Sequence, residues 1–181
     1  MLLETDRCRV RPYTMDDLDA LVEHANDPEV SLMLRDRFPH PYTREIGVQF
    51  LTTQAAAEPP DSFAIDVGGV VIGGIGVHPG DDVMRHSAEI GYWVGRKHWG
   101  RGVASAALKA VVDHVFQEGR FCRLSAHTFE GNEASQRVLE KTGFVYEGTL
   151  RKAVFKRGKL LDARLYGLVN EDAMNRFKTA G

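Results

Sequence analysis

Cysteine is scarce in this chain: two in 181 residues, Cys8 and Cys122, far apart and in no Cys-x-x-Cys pair. No His-Glu-x-x-His string or Cys/His cluster accompanies them, so the pattern predicts buried thiols, no disulfide, no zinc site and no bound metal. Long apolar runs are missing as well, and no stretch approaches the length that spans a bilayer. The first thirteen residues hold Glu4, Asp6, Arg7, Arg9 and Arg11, which excludes a signal-peptide core and leaves the cytoplasm by elimination. Charge of one sign is also wanting. A net charge of -2 with 27% charged residues offers no strong field, so neither nucleic acid nor a membrane is predicted as a main ligand. Gly-Lys-Ser and Gly-Lys-Thr do not occur, which removes a triphosphate-binding P-loop. Internal repeats, low-complexity tracts and interdomain linkers are absent too.

What is present suits one core. With 43% apolar and 9% aromatic residues, 181 residues predict a single domain over 1–181. Thr14-Met-Asp-Asp17 has the form of a capping box, and Leu18, Leu21, Val22 and Ala25 follow at helical spacing until Asp27-Pro28 ends the helix. Arg35 to Tyr42 reads as a loop before a second helix capped by Thr43, which Pro59-Pro60 breaks. Phe63 to Val67 and Val70 to His78 flank Gly68-Gly69 as a hairpin. Ala88, Ile90, Tyr92 and Val94 alternate with Glu89, Gly91 and Trp93 in a further strand, which places a carboxylate on a half-buried face. A long helix then runs from Ala104 to Gln117 and stops at Gly119. A strand follows over Cys122 to Thr128, then a helix from Asn132 to Gly143. Two final strands, Val145 to Phe155 and Leu160 to Val169, turn at Lys156-Arg157-Gly158-Lys159. The pattern leaves a homodimer possible, because an interface strand and a core strand read alike.

The densest chemical signal is Trp99-Gly100-Arg101-Gly102-Val103-Ala104, between a strand and the start of a long helix. A helix N-terminus presents unpaired N–H groups and the positive end of the dipole, and glycines let the backbone approach a diphosphate. The plain alternative is a glycine turn joining strand to helix. A dinucleotide fingerprint can be laid over Gly100, Gly102 and Ser105, but the neighbouring strands read as antiparallel and no acidic residue ends the next strand, which argues against a nicotinamide cofactor.

These residues resemble a family. The loop fits the Gln/Arg-x-x-Gly-x-Gly/Ala acyl-CoA signature of the GCN5-related N-acetyltransferases with Trp99 in the first place, and Glu89-Ile-Gly-Tyr-Trp93 ahead of it resembles the RimJ/RimL branch. The likeness continues through Asn132-Glu-Ala-Ser135, Leu139-Glu-Lys-Thr-Gly-Phe144, Glu147-Gly148 and Leu165-Tyr-Gly-Leu168. It implies an α+β fold with a mostly antiparallel central sheet, splayed in the middle and flanked by helices on both faces. It also implies transfer of acetyl from acetyl-CoA to a primary amine, either a protein N-terminus or a small molecule, in a ternary complex. A non-catalytic module that senses acyl-CoA is the different-class alternative.

By the same resemblance, backbone amides of Trp99, Gly100, Arg101, Gly102, Val103, Ala104 and Ser105 would cradle the pyrophosphate. The pantetheine arm would pair with Trp93 and Val94, and Asn132 would hold that arm, cap its helix, or do both. An amine must lose its proton before it attacks, and Glu89 is the candidate base; the competing reading is an ion pair with Arg85 or Arg123. The family's usual tyrosine acid is replaced by Leu139, so Ser135, one turn earlier, becomes the candidate that meets the leaving thiolate. A glutamate found on a later strand in some relatives is Val154 here, which throws weight onto Glu89. His127 is a substitute base or a structural histidine. Phe38 and Tyr42 stand where the family shapes the acceptor pocket. Arg151, Lys152, Lys156, Arg157 and Lys159 gather charge at the last hairpin, to attract an acidic partner or to keep a solvated edge from pairing.

Overall fold

The computed structural model describes residues 1–171 and 173. Its sheet has eight strands: β1 (Leu3–Glu4), β2 (Arg9–Arg11), β3 (Ser62–Val67), β4 (Val70–Pro79), β5 (Ser87–Val94), β6 (Arg123–Phe129), β7 (Val145–Lys156) and β8 (Lys159–Val169), hydrogen-bonded in the order β1-β2-β3-β4-β5-β6-β8-β7. The α-helices are α1 (Leu18–Ala25), α2 (Pro28–Leu32), α3 (Arg44–Ala56), α4 (Val103–Gln117) and α5 (Glu133–Lys141). The described residues fall into two compact units.

Three features depart from the sequence reading. The strands on either side of the glycine loop are not antiparallel: β5 and β6 pair in parallel, with Ser87 opposite Arg123, Ala88 opposite Leu124 and Glu89 opposite Ser125. A helical crossover such as α4 returns the chain to the same end of the sheet, and this makes the pair parallel. The case against a dinucleotide site therefore keeps only the missing acidic residue. Strands β1 and β2, of two and three residues, are too short to leave a periodic trace. Asp27-Pro28 ends α1 and also starts α2, since the Asp27 side chain accepts from Glu29 N at 2.9 Å and Pro28 occupies the first turn, where no N–H is needed.

One unit comprises Met1–Gly76 and Tyr92–Leu108. Its helices bury Leu18, Leu21, Ala25, Tyr42 and Leu51, with Tyr13, Val22, Phe38, Ile46, Phe50 and Trp93 packed around them. The Thr14 capping box forms, and Asp17 is its third residue. Asp17 has a second task, because Arg11 donates to both its carboxylate oxygens at 2.8 and 2.7 Å while reaching Asp66 through Nε at 2.8 Å. This ties β2, the entry to α1 and β3 through one nearly buried guanidinium.

The other unit comprises Val77–Gly91 and the chain from Lys109 onward. Strands β6 and β8 pair along their length, from Arg123 opposite Val169 to Phe129 opposite Ala163. β7 folds back on β8 from Arg157-Gly158 and forms the sheet edge. At that hairpin Arg151, Arg157 and Lys159 are exposed, Lys156 is buried, and Lys152 bridges to Asp162 at 3.1 Å. Cys8 is buried, Cys122 is half-buried, and both are free thiols.

Candidate active site

The glycine loop begins where β5 ends. A single helical turn, Arg96–His98, leads to Trp99 in extended conformation, then Gly100 at φ 73° and Gly102 at φ 76°, and α4 starts at Val103. Both glycines occupy the left-handed region that a side chain disfavours. A Cβ on Gly100 would stand in open space, whereas one on Gly102 would press at 3.3 Å on the Arg7 side chain. Ala106 N donates to Gly102 O at 3.0 Å as the helix opens, which leaves the amides of Val103, Ala104 and Ser105 ahead of any intrahelical partner. No acidic residue stands in the first turn of α4. Open space above a left-handed glycine, amides with no partner within the helix and a first turn free of carboxylates suit a diphosphate.

Two residues hold this loop in ways that sequence spacing does not reveal. The Trp99 indole donates to Val94 O at 2.6 Å and fastens the loop to the end of its own strand. Arg7, from the turn before β2, donates Nη1 to Arg101 O at 3.2 Å, so a second guanidinium stands beside exposed Arg101. A separation of 94 residues hides that contact from any motif. Farther back, Lys97 pairs with Glu23 at 2.7 Å, Arg96 with Asp27 at 3.0 Å, and the His24 and His98 rings meet edge to face at 5.1 Å. Burial pushes both imidazoles below their ordinary titration range.

In the same unit the expected acceptor-side aromatics come together. The Phe38 ring lies 5.2 Å from Tyr42 and 5.1 Å from Trp93, while Tyr13 meets Phe50 edge-on at 5.1 Å. Tyr42 is 4% exposed and burial pushes its hydroxyl up to about 12. It therefore contributes as the neutral phenol that supports half-buried Phe38.

The remaining candidates belong to the other unit. Glu89 is the last β5 residue paired to β6, and its Oε1 lies 3.5 Å from His127 Nδ1. Arg123, one of the two cations considered for it, is held instead by both oxygens of Glu147, one of these bonds measuring 2.7 Å. Arg85 donates Nη1 to Asp82 O at 3.1 Å. Asn132 caps α5, its side chain accepting from Ser135 N at 3.2 Å. Ser135 is half-buried and Leu139 fully buried. From α5, Gln136 accepts from Arg164 at 2.7 Å and Glu140 from Tyr166 at 3.4 Å. These β8 residues flank Leu165, the cross-strand neighbour of His127. Alternation along a strand therefore puts α5 on the face opposite Glu89 and His127.

The glycine loop at a helix N-terminus lies in one unit, and the half-buried strand carboxylate and the capped short helix lie in the other. The chain belongs to the GNAT acetyltransferase family, whose Acetyltransferase (GNAT) domain matches residues 7–145, and it is an acetyl-CoA-dependent N-acetyltransferase. An uncharacterized N-acetyltransferase of Bacillus licheniformis, p20, is 30% identical over 173 residues, covering 94% of this chain and 97% of its own length. The ribosomal-protein-serine acetyltransferase of Escherichia coli is 35% identical over 86 residues, 48% of each chain. The structure of RimJ from Mycobacterium smegmatis in complex with CoA disulfide superposes with a TM-score of 0.79 at 26% identity, over 96% of this chain and 89% of that one. The fold is accordingly the α+β GNAT fold with a mixed sheet. No helix among the described residues is long and apolar enough to cross a membrane.

Proposed function

We propose that this chain acts in the cytoplasm as one transferase domain that acetylates the N-terminal amine of a protein. Acetyl-CoA supplies the acyl thioester. Amides from Trp99 to Ser105 hold its pyrophosphate, with Arg101 adding charge; Trp93, Val94 and Asn132 line the pantetheine arm, and Phe38 over Tyr42 shapes the acceptor side. Glu89 takes the proton from the acceptor ammonium. Ser135 meets the sulfur as the thiolate leaves, by hydrogen bonding more than by full proton transfer, since a hydroxyl is a weaker acid than a thiol. Their approach from opposite faces of the sheet suits one group serving the entering amine and the other the departing sulfur.

The observation that carries the cofactor reading is the pair of left-handed glycines at the start of α4. Gly102→Val is expected to abolish acetyl-CoA binding by calorimetry while thermal unfolding remains cooperative. Unchanged affinity would put the cofactor elsewhere. The protein-amine reading leans on the relative named for ribosomal-protein serine. Thiol release from acetyl-CoA, followed across peptides with free N-termini, beginning with serine-led ones, and across small amines, tests it. Peptides are expected to turn over faster, with the acetyl group on the α-amine by mass spectrometry. Preference for a small amine would replace the acceptor, and no turnover on any amine would favour a sensing module.

A further inference from the structure

We propose that His24, in the last turn of α1, is a positioning residue for acetyl-CoA, holding the turn that precedes the glycine loop in the place the cofactor needs. This role presupposes residues 99–105 as the cofactor loop. From Arg96 to Gly102 every residue is exposed except His98, which is half-buried. Such a stretch has almost nothing of its own to bury, so its place is decided by what holds its start. Gly95, buried where the stretch begins, is fixed on one side by β4, its N–H donating to Ile72 O at 2.7 Å. On the other side stands His24, which is 8% exposed.

The approach there is closer than a side chain at position 95 allows. A Cβ on Gly95 would stand 2.9 Å from both Cβ and Nδ1 of His24 and 3.0 Å from Cγ. The backbone at Gly95, with φ -56° and ψ 139°, is one that any residue adopts, so the imidazole and not the chain path calls for glycine. His98 N donates to Gly95 O at 2.9 Å and closes the turn, and the His98 ring meets the same imidazole edge to face at 5.1 Å. Burial holds both rings below their ordinary titration range, hence neutral at pH 7, so they pack without mutual repulsion. His24 thus touches the two residues of 95–102 that are withdrawn from solvent. The flanking pairs of Lys97 with Glu23 and Arg96 with Asp27 run in the same direction, but pairs made by exposed cations add little.

Loop amides bind a diphosphate well when they are ordered beforehand. A loose turn has to be ordered on binding, and that cost is subtracted from affinity. His24 acts through Gly95 and His98 and touches no reacting atom, so its loss should fall on cofactor binding and spare the chemical step.

The test measures acetyl-CoA affinity by calorimetry, kcat at saturating acetyl-CoA and peptide, and hydrogen exchange over residues 96–102, for the parent, His24→Ala, Gly95→Ala and the double variant. His24→Ala is expected to raise Kd about 10- to 100-fold, the equivalent of ordering one or two backbone residues on binding. Exchange over 96–102 should quicken in the free protein while kcat stays unchanged. Gly95→Ala, which pushes the turn away from the same ring, should weaken binding by a similar factor. In the double variant the new methyl fills space that the imidazole vacates, and the combined loss should fall short of the product of the two by about tenfold, within the range for residues in contact. Leu21→Ala, a truncation in the core of the same helix, should lower Tm and leave Kd alone. Parental Kd in both single variants overturns the proposal, as do an equal loss of affinity in Leu21→Ala or fully multiplicative losses in the double variant. Should His24→Ala fail to fold, parental affinity in Gly95→Ala is enough to overturn it. Gly102→Val separates the two readings: binding lost there but kept in His24→Ala and Gly95→Ala removes only the positioning role, whereas binding kept in Gly102→Val removes the cofactor loop itself.

Discussion

Replacing Glu89 by Gln is expected to lower kcat about 10²- to 10⁴-fold, the range for losing a general base, with acetyl-CoA affinity nearly unchanged. The substitution keeps the side-chain volume and removes only the ability to hold a proton. The register of β5 against β6 fixes Glu89 at the last paired position, and the backbone there has no reason to move. The amine must arrive at the thioester unprotonated, so the loss should be largest where the acceptor is an ammonium and should shrink as pH rises through the amine's own titration. Stopped assays of thiol release on the preferred peptide from pH 6 to 9 would measure it. An enzyme that keeps full kcat and the same pH profile would take Glu89 out of the chemistry.

Arg11→Leu is expected to cost about 3 kcal/mol of stability, the lower end for breaking a buried ion pair, which for a chain of this length lowers Tm by roughly 6 to 12 °C. Arg11 is the shared partner of Asp17 and Asp66, whose side chains are 7% and 4% exposed. Leucine roughly fills the volume but leaves two carboxylates facing each other without a cation. Burial works against the Asp17 charge, yet hydrogen bonds from Arg11 and from Thr14 outweigh it and hold the carboxyl below its ordinary range. A lowered folded value means that the stabilisation is present above the unfolded value, near 4, and is lost as pH falls through the folded one. The deficit of Arg11→Leu should therefore narrow in acid, where the carboxylates are neutral. Urea unfolding at pH 7 and pH 3 measures both. A loss below about 1 kcal/mol at pH 7 would class the triad with exposed pairs.

Much of the architecture is legible because it is local. The Thr14 capping box, the Thr43 and Asn132 caps and the Gly68-Gly69 hairpin each depend on residues within a few positions, where side-chain type and backbone angle are tied by short-range sterics. The glycine loop is legible for the same reason, since its left-handed angles and its place before α4 are properties of one stretch of chain. What failed was what has no local signature. The parallel pairing of β5 with β6 follows from the crossover through α4, and β1 and β2 are visible only through the strands that they extend.

The candidate site divides in the same way. Trp99, Gly100 and Gly102 mark the candidate acyl-CoA loop by letter and spacing, and Glu89 stands out as a carboxylate on a half-buried strand. That Arg7 reaches the carbonyl of Arg101, that Trp99 secures the strand end, that Arg123 belongs to Glu147 and that Glu89 faces His127 were all decided by tertiary structure. Charge spacing left Arg85 and Arg123 equal candidates for Glu89, because attraction between ions depends on distance and dielectric, and a sequence holds neither. The sequence by itself determined the glycine loop and most of the elements around it, through local sterics and period. Only the folded sheet decided which imidazole, guanidinium and carboxylate share a face, because pairing register brings together residues whose separation along the chain carries no force.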